Sequence, residues 1–502
     1  MVGVAIAVGI AAGASAQAAE PVYGGTLNVG FTSDVKTLDP TFSVQFSERQ
    51  VLYPVYNTLV RFGPDFSIQP ELADSWTIEN DGKRLVLHLH PGVKFHDGTE
   101  FNADAVKFNI DRRLDPAVGS PQLKQLGPII ESVEVVDPST VAINMKEPSP
   151  GILALLGERP GFMISPAAVQ KYGEDLGSHP VGTGPFVFKE WVRGSHITLE
   201  KNENYWEKGK PYLDGITYSD ISGAIVGVQR LTTGEVDWIG ELSPQDVKQL
   251  EGAAGIKLDP ITVGRWYSLQ WHWNEPPFDN AKLRQAFAYG IDRNRINEIV
   301  MAGKGTLADG PTPPSLWWYA PDLPSYDHDP AKAKELLKEA GYPDGFKFTL
   351  STPQAAIYQQ IDQLVQEQLK EVGIELTLDP VAQSEWYDRV VKGITNFTPT
   401  RWTQRPDPDG LLYILFHSKG YANTTKYHNP EVDALLDEGR VTFDQAKRKV
   451  IYAEAQKKIV EDIPMLPLFF SVEYAAMRDD VQGFEWIPDQ IPRFRDLWKS
   501  GQ

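Results

Sequence analysis

"IDQLVQEQLKEVGIELTLDP", residues 361–380, decides the fold class. Ile361, Leu364, Val365, Gln368, Leu369 and Val372 recur at the spacing of one helical face, which predicts an amphipathic α-helix. Gly373 follows where a helix commonly ends in the left-handed conformation. Beyond it Ile374, Leu376 and Leu378 alternate with polar residues, the period of a strand. "FKFTLST" (346–352) precedes the helix and reads as another strand. Strand, helix and strand in that order form a parallel crossover unit, the building block of an α/β protein.

The flanking sequence repeats this style. Asp329 caps "PAKAKELLKEAG", with Pro330 at its first position and Gly341 at its end. Asn429 and Pro430 open "EVDALLDEG" in the same way, and "LRQAFAYGIDRNRINEIVMAGKG" (283–305) reads as two helices, the second capped by Asp292. The helix-rich part runs from about 275 to 465. Earlier segments read as strands: "GGTLNVGF" (24–31) and "RLVLHLH" (84–90), where Leu85, Leu87 and Leu89 alternate with Val86, His88 and His90. Asp81-Gly82 before the latter is a turn signal. No period of 20 to 50 residues repeats, which excludes a solenoid.

The chain has 502 residues, 41% of them hydrophobic, a globular composition of several lobes rather than a disordered one. A net charge of -19 argues against nucleic acid as a partner. Val2 to Ala12 is an apolar run, and Ala14-Ser15-Ala16 and Ala16-Gln17-Ala18 both fit a small-x-small cleavage site. Residues 1–19 therefore read as a secretory signal peptide, although no Lys or Arg precedes the apolar run. The run is too short to span a membrane. An exported product in the periplasm, starting near Gln17, Ala19 or Glu20, is expected. With no cysteine there is no lipid-anchored N-terminus, no thiolate metal site and no Cys nucleophile.

Catalytic signatures are missing: there is no G-x-x-x-x-G-K-[ST], no H-E-x-x-H and no G-x-S-x-G. "GTGP" (182–185) lacks a following Lys, and Pro185 removes an N–H that a phosphate would need, so it reads as a tight turn. "RPDPDG" (405–410) imitates the start of a calcium loop but puts Arg405 at the first ligand position and Phe416 at the closing one. His88, His90 and His96 lie close together without a matching carboxylate or Cys, so surface histidines are the default and no metal is expected. Of the 13 Trp, most belong in the core; Trp266, Trp271 and Trp273 crowd into one stretch, and Trp386 and Trp402 sit in polar settings that suit a ligand cleft.

Several blocks, in order, resemble the large solute-binding proteins of ABC importers in the peptide, opine and nickel class (solute-binding protein family 5). They are "ELADSWTIENDGKRLVLHLHPGVKFHDGTEFNADAVKFNI" (71–110), "VGTGPFVFKEW" (181–191), "NENYWEKGKPYLDGI" (202–216), "LTTGEVDW" (231–238), "PPFDNAKLRQAFAYGIDRNRI" (276–296), "DPAKAKELLKEAGYPDG" (329–345) and "IPMLPLFF" (463–470). The resemblance implies a two-lobed periplasmic-binding-protein fold with a hinge and a central ligand cleft, plus an extra lobe inserted in the first. By block order the first lobe is 21–60, 180–264 and 471–502, the inserted lobe 61–179 and the second lobe 265–470, with the hinge near Gly264 and Phe470. The implied function is capture of a small solute by lobe closure and delivery to a membrane permease, by a monomer without catalysis and without a cofactor.

The same resemblance directs the site. "TRWTQRPDPDG" (400–410) falls where the family builds one wall of its pocket. Peptide-binding members carry there a Trp, then an Asp that holds the ligand's free amine, then Asp-Pro. Trp402 and Asp407-Pro408 match, but Gln404 and Arg405 stand in place of the acid, which counts against a free-amine peptide. Arg405 is the expected anchor for a carboxylate; its alternative is a surface pair with Asp407 or Asp409. Arg401, Trp402 and Gln404 accompany it, with Trp266 and Tyr267 beyond the hinge, Glu241 after "GEVDW", and Phe42, Ser43 and Val44 after "TLDP". Candidate ligands are opines or modified amino acids, short peptides and oligosaccharides. The rival class is an exported glycoside hydrolase with a carboxylate pair.

Overall fold

The computed structural model describes residues 20–31, 35–221, 223–242, 244–261, 265–392 and 394–501. The expected signal peptide and the expected hinge residue Gly264 lie outside the described residues.

The first lobe is built on a seven-stranded sheet in the order Ile256–Ile261, Glu473–Arg478, Trp238–Ile239, Thr26–Phe31, Gly215–Asp220, His196–Lys201 and Phe186–Val192. Thr26–Phe31 runs parallel to its neighbours Gly215–Asp220 and Trp238–Ile239, and the other pairs are antiparallel. Leu27, Val29, Ile216 and Tyr218 are buried against the helix Phe46–Val55, whose Val51, Leu52 and Val55 complete that core.

The second lobe contains the predicted crossover. Phe346–Pro353 and Ile374–Val381 pair in parallel, and the helix Ala356–Glu371 covers them. Ile361, Val365 and Leu369 are fully buried, and Gly373 takes φ +97, as its position after the helix requires. Beside this unit stands a four-stranded sheet, Thr306–Leu307, Met465–Phe470, Trp266–Trp271 and Phe397–Trp402. The predicted caps are in place: the side chains of Asp292, Asp329 and Asn429 accept from the backbone of Arg295, Lys332 and Glu431.

A third, antiparallel sheet joins Ala73–Glu79, Arg84–Leu89, Thr140–Met145 and Ile130–Asp137. In Arg84–Leu89 the alternation is incomplete, because Val86 is buried along with Leu85, Leu87 and Leu89, and only His88 stays exposed. The histidines here have separate surroundings: His90 lies beside Trp206, and His96 Nε2 meets the Gly184 carbonyl at 3.0 Å. The expected inserted lobe reaches residue 179, yet Phe162, Ile164, Ala168 and Leu176 pack into the core under the seven-stranded sheet. The apolar side chains of this stretch find their burial there.

Beside the two expected crossings, the described segments bond to each other. Arg265 N–H donates to Ser471 Oγ at 2.9 Å, and Ser471 N–H donates to the Arg265 carbonyl at 3.0 Å. The lobes also touch across the cleft. Phe62, Phe66, Ala154, Ile261 and Ile487 share one apolar cluster with Trp266, Leu411 and Leu412 of the second lobe. Gly151 lies so near the second lobe that a Cβ there would stand 3.6 Å from the Asp407 carboxylate carbon.

Candidate ligand cleft

Antiparallel register sorts four of the predicted residues onto two faces. Trp266 lies opposite Trp402, and Tyr267 opposite Arg401. Directly opposed residues share a face and neighbours along a strand do not, so the two tryptophans point one way and the Tyr–Arg pair the other.

On the Tyr267 face, Arg401 is electrostatically coupled to Tyr267, Tyr358 and Glu473. Tyr267 stacks on Phe469 with centroids 5.1 Å apart. Burial pushes the Tyr358 hydroxyl above its ordinary pKa, with Arg401 and Arg265 opposing. Arg265, at the hinge, reaches into the first lobe: one nitrogen is 3.4 Å from Glu473 and another 3.8 Å from Glu241. Glu241 holds φ +56, an uncommon conformation for a residue other than glycine.

On the other face the tryptophans enter the cluster shared by the lobes. Trp266 is fully buried and Trp402 half-buried, and neither indole N–H has a hydrogen-bond partner. Trp318, buried in the same cluster, has the same unsatisfied N–H. Gln404 is buried too; its amide donates to the Pro311 carbonyl, while its Oε1 has no partner. Such buried orphans cost about 1–3 kcal/mol each, so a concentration of them marks a place where polar partners are missing.

The segment 405–410 is ordered by its acids. Asp407 forms two hydrogen bonds to Arg448, at 2.7 and 2.8 Å, and its side chain also caps the turn by accepting from Asp409 N–H. Asp409 faces Arg440 at 3.4 Å; burial raises its pKa to about 6, against the pull of Arg440. Both acids are therefore engaged elsewhere. Arg405, half-buried, packs its stem against Gly410 and has no ion pair or hydrogen bond among the described residues. The alternative of a pair with Asp407 or Asp409 is thus corrected: the better-placed Arg448 and Arg440 hold those carboxylates.

The remaining predicted residues belong to the first lobe, in the loop before the helix Phe46–Val55. Phe42 is 40% exposed and carries the Arg112 guanidinium 5.6 Å from its ring, and Val44 is 63% exposed. Ser43 is buried beneath them and accepts from Arg159 Nε at 3.3 Å. Residues that sequence reasoning missed, Arg265, Glu473, Tyr358 and Trp486, come together only through tertiary contacts. A small cavity beside the hinge, lined by Phe46, Gln50, Trp238, Glu241, Arg265, Glu473, Trp486 and Gln490, brings the first-lobe loop and the hinge arginine together.

Comparisons with known proteins give the family and the fold. Residues 67–423 match the model of bacterial extracellular solute-binding proteins, family 5. The chain is 35% identical to the glutathione-binding protein GsiB of Pectobacterium atrosepticum, over 97% of each chain. Among solved structures it is similar to the ABC transporter-associated periplasmic binding protein DppA of Helicobacter pylori in complex with the peptide STSA (28% identity, TM-score 0.78, covering 95% of this chain and 98% of that one). It is also similar to the binding protein AgaA of A. tumefaciens R10 in complex with agropinic acid (29% identity, TM-score 0.77, covering 95% and 99%).

Proposed function

The chain belongs to the family 5 bacterial extracellular solute-binding proteins, and from that premise we propose that it captures a small carboxylated solute between its lobes and delivers it to an ABC-transporter permease in the membrane. The solute class is a peptide-like compound, an opine or a modified amino acid. Relatives named for glutathione, a peptide and agropinic acid support this class over an oligosaccharide and over glycoside hydrolysis. The protein acts in the periplasm as a monomer and makes or breaks no bond.

One observation carries the reading. Arg405 stands without a counter-ion among the described residues, next in sequence to the buried Gln404, whose carbonyl has no partner, and the indole N–H groups of Trp266 and Trp402 are unsatisfied in the apolar cluster shared by the lobes. A carboxylated ligand that also carries an N–H or O–H supplies what is missing: an anion for the planar guanidinium fork, acceptors for the indoles and a donor for the Gln404 carbonyl. Phe42 and Val44 provide the first-lobe side of the cleft, and Tyr267, Arg401 and Glu241 act near the hinge. Capture works by closure, since a ligand that touches both lobes favours the closed form by its differential affinity. In this reading the first lobe is 21–60, 180–264 and 471–502, the inserted lobe 61–179 with its last segment packed on the first, and the second lobe 265–470.

The test is release of the native ligand. Protein purified from the periplasm and denatured should yield a compound that mass spectrometry identifies as small and carboxylated, and that rebinds unchanged. A neutral sugar, or a product altered by incubation with the protein, contradicts the proposal.

A further inference from the structure

The helix Phe46–Val55 places Phe46, Arg49, Gln50 and Tyr53 along one face, at spacings of three and four. Phe46 and Gln50 line the small hinge cavity, and Tyr53 lines a separate cavity of about 370 Å³ formed by residues of the first lobe and of the segment 61–71. Arg49 shares the helix face with these three residues. It is only 8% exposed, its guanidinium stands 5.8 Å from the Phe46 ring centroid, and its Nε has no partner. Among the described residues it makes no ion pair.

A second arginine joins it. Arg159 donates Nε to Ser43 Oγ at 3.3 Å and Nη2 to the Gln45 carbonyl at 2.8 Å, both neutral acceptors. It too has no carboxylate in ion-pair reach among the described residues. Burial and then the Arg49 guanidinium push its pKa down to about 10. The buried acid nearest in sequence, Glu48, is engaged: its Oε2 accepts the backbone N–H groups of Val44 and Gln45 at 2.9 Å each. A buried cation and a half-buried one that repel each other, in a chain of net charge -19, are costly unless an anion joins them. Arg159 is fixed by the loop 42–45 on the first-lobe side, and Arg49 lies against Phe46, which follows that loop.

We propose that Arg49 and Arg159 form a second anion clamp, on the wall facing the second lobe, so that the ligand is a small compound with at least two carboxylates, one for this pair and one for Arg405. The proposal rests on the cleft being the ligand site. A dianion of this kind explains why the two walls carry unpaired arginines rather than one wall alone. It also makes closure depend on charge at both ends, since neither arginine group reaches its anion in full until the lobes meet.

The experiment is calorimetric titration of the ligand-free protein, at constant ionic strength, with two probes: sulfate, and glutathione as a dicarboxylate. Arg49→Gln and Arg159→Gln are compared with wild type and with Lys347→Gln, an equal charge change at an exposed second-lobe residue paired with Glu375. Wild type and Lys347→Gln are expected to bind at least one probe, and each arginine variant to lose about tenfold or more in affinity. Ligand-free Arg49→Gln is expected to melt at the wild-type temperature or above it, because a repelling cation has gone. Binding of neither probe by wild type, unchanged affinity in both variants, or a fall in melting temperature of about 5 °C or more for Arg49→Gln overturns the clamp. A native ligand released intact but carrying a single carboxylate also overturns it, and leaves the capture function standing. Sulfate bound through these arginines in a protein that yields no solute has the opposite meaning: the clamp stands and the capture function fails.

Discussion

Asp407 accepts both terminal nitrogens of Arg448, at 2.7 and 2.8 Å, with both side chains nearly buried. This one pair sets the course of the segment that follows Trp402, and it is the reason Arg405 is left without an acid.

Breaking that pair should be costly. Asp407→Asn leaves a buried guanidinium with a neutral partner and is expected to destabilise the protein by about 3–5 kcal/mol. Denaturant unfolding checks this; a loss within experimental error of zero would mean that the pair does not order the segment.

Arg405→Ala should behave in the opposite way. Its guanidinium makes no ion pair among the described residues, so the melting temperature of the ligand-free protein should change little. Ligand affinity should fall by about 2–5 kcal/mol, as expected when one half of a desolvated charge pair is removed. Calorimetry with the released native ligand reads the affinity, and an unchanged value removes Arg405 from the site.

Asp409 gives a pH signature. Its folded pKa, about 6, is raised by burial above the ordinary carboxylate value, so the folded state binds the proton more tightly than the unfolded state. Its stabilising effect is full below about pH 4 and is lost as pH rises through about 6, an amount on the order of 3 kcal/mol. Asp409→Asn should remove this part of the pH dependence and raise stability at pH 7.5. Melting curves from pH 4 to pH 8 that keep the wild-type slope in the variant would refute the assignment.

Gly151 tests the contact between lobes. Its backbone is right-handed helical, which any residue adopts, and its Cα faces the Asp407 carboxylate. Gly151→Glu puts a second carboxylate there and should disfavour closure, lowering ligand affinity by about tenfold with little change in ligand-free stability. Ligand affinity equal to wild type would mean that this contact does not form in the bound state.

Much of the fold was legible because it is local. The crossover around residues 346–381 and the caps at Asp292, Asp329 and Asn429 rest on periodicity and on side chains that bond within a few residues. The site was legible only in part. Trp402 and Arg401 were named from one short segment, but their opposite orientation follows from pairing with Trp266 and Tyr267, more than 130 residues earlier. Arg49 and Arg159 carry no sequence signal at all. They are ordinary basic residues in the chain, and their significance lies in surroundings where neither forms an ion pair among the described residues. Val86 fails the alternation for a similar reason, since tertiary packing covers the face that the pattern leaves to solvent.

Closure on a ligand without chemistry is the central claim, and small-angle X-ray scattering of the ligand-free protein, before and after saturation with its released native ligand, tests it most directly. The account predicts a smaller radius of gyration in the bound state. An identical radius and profile at saturation would contradict it.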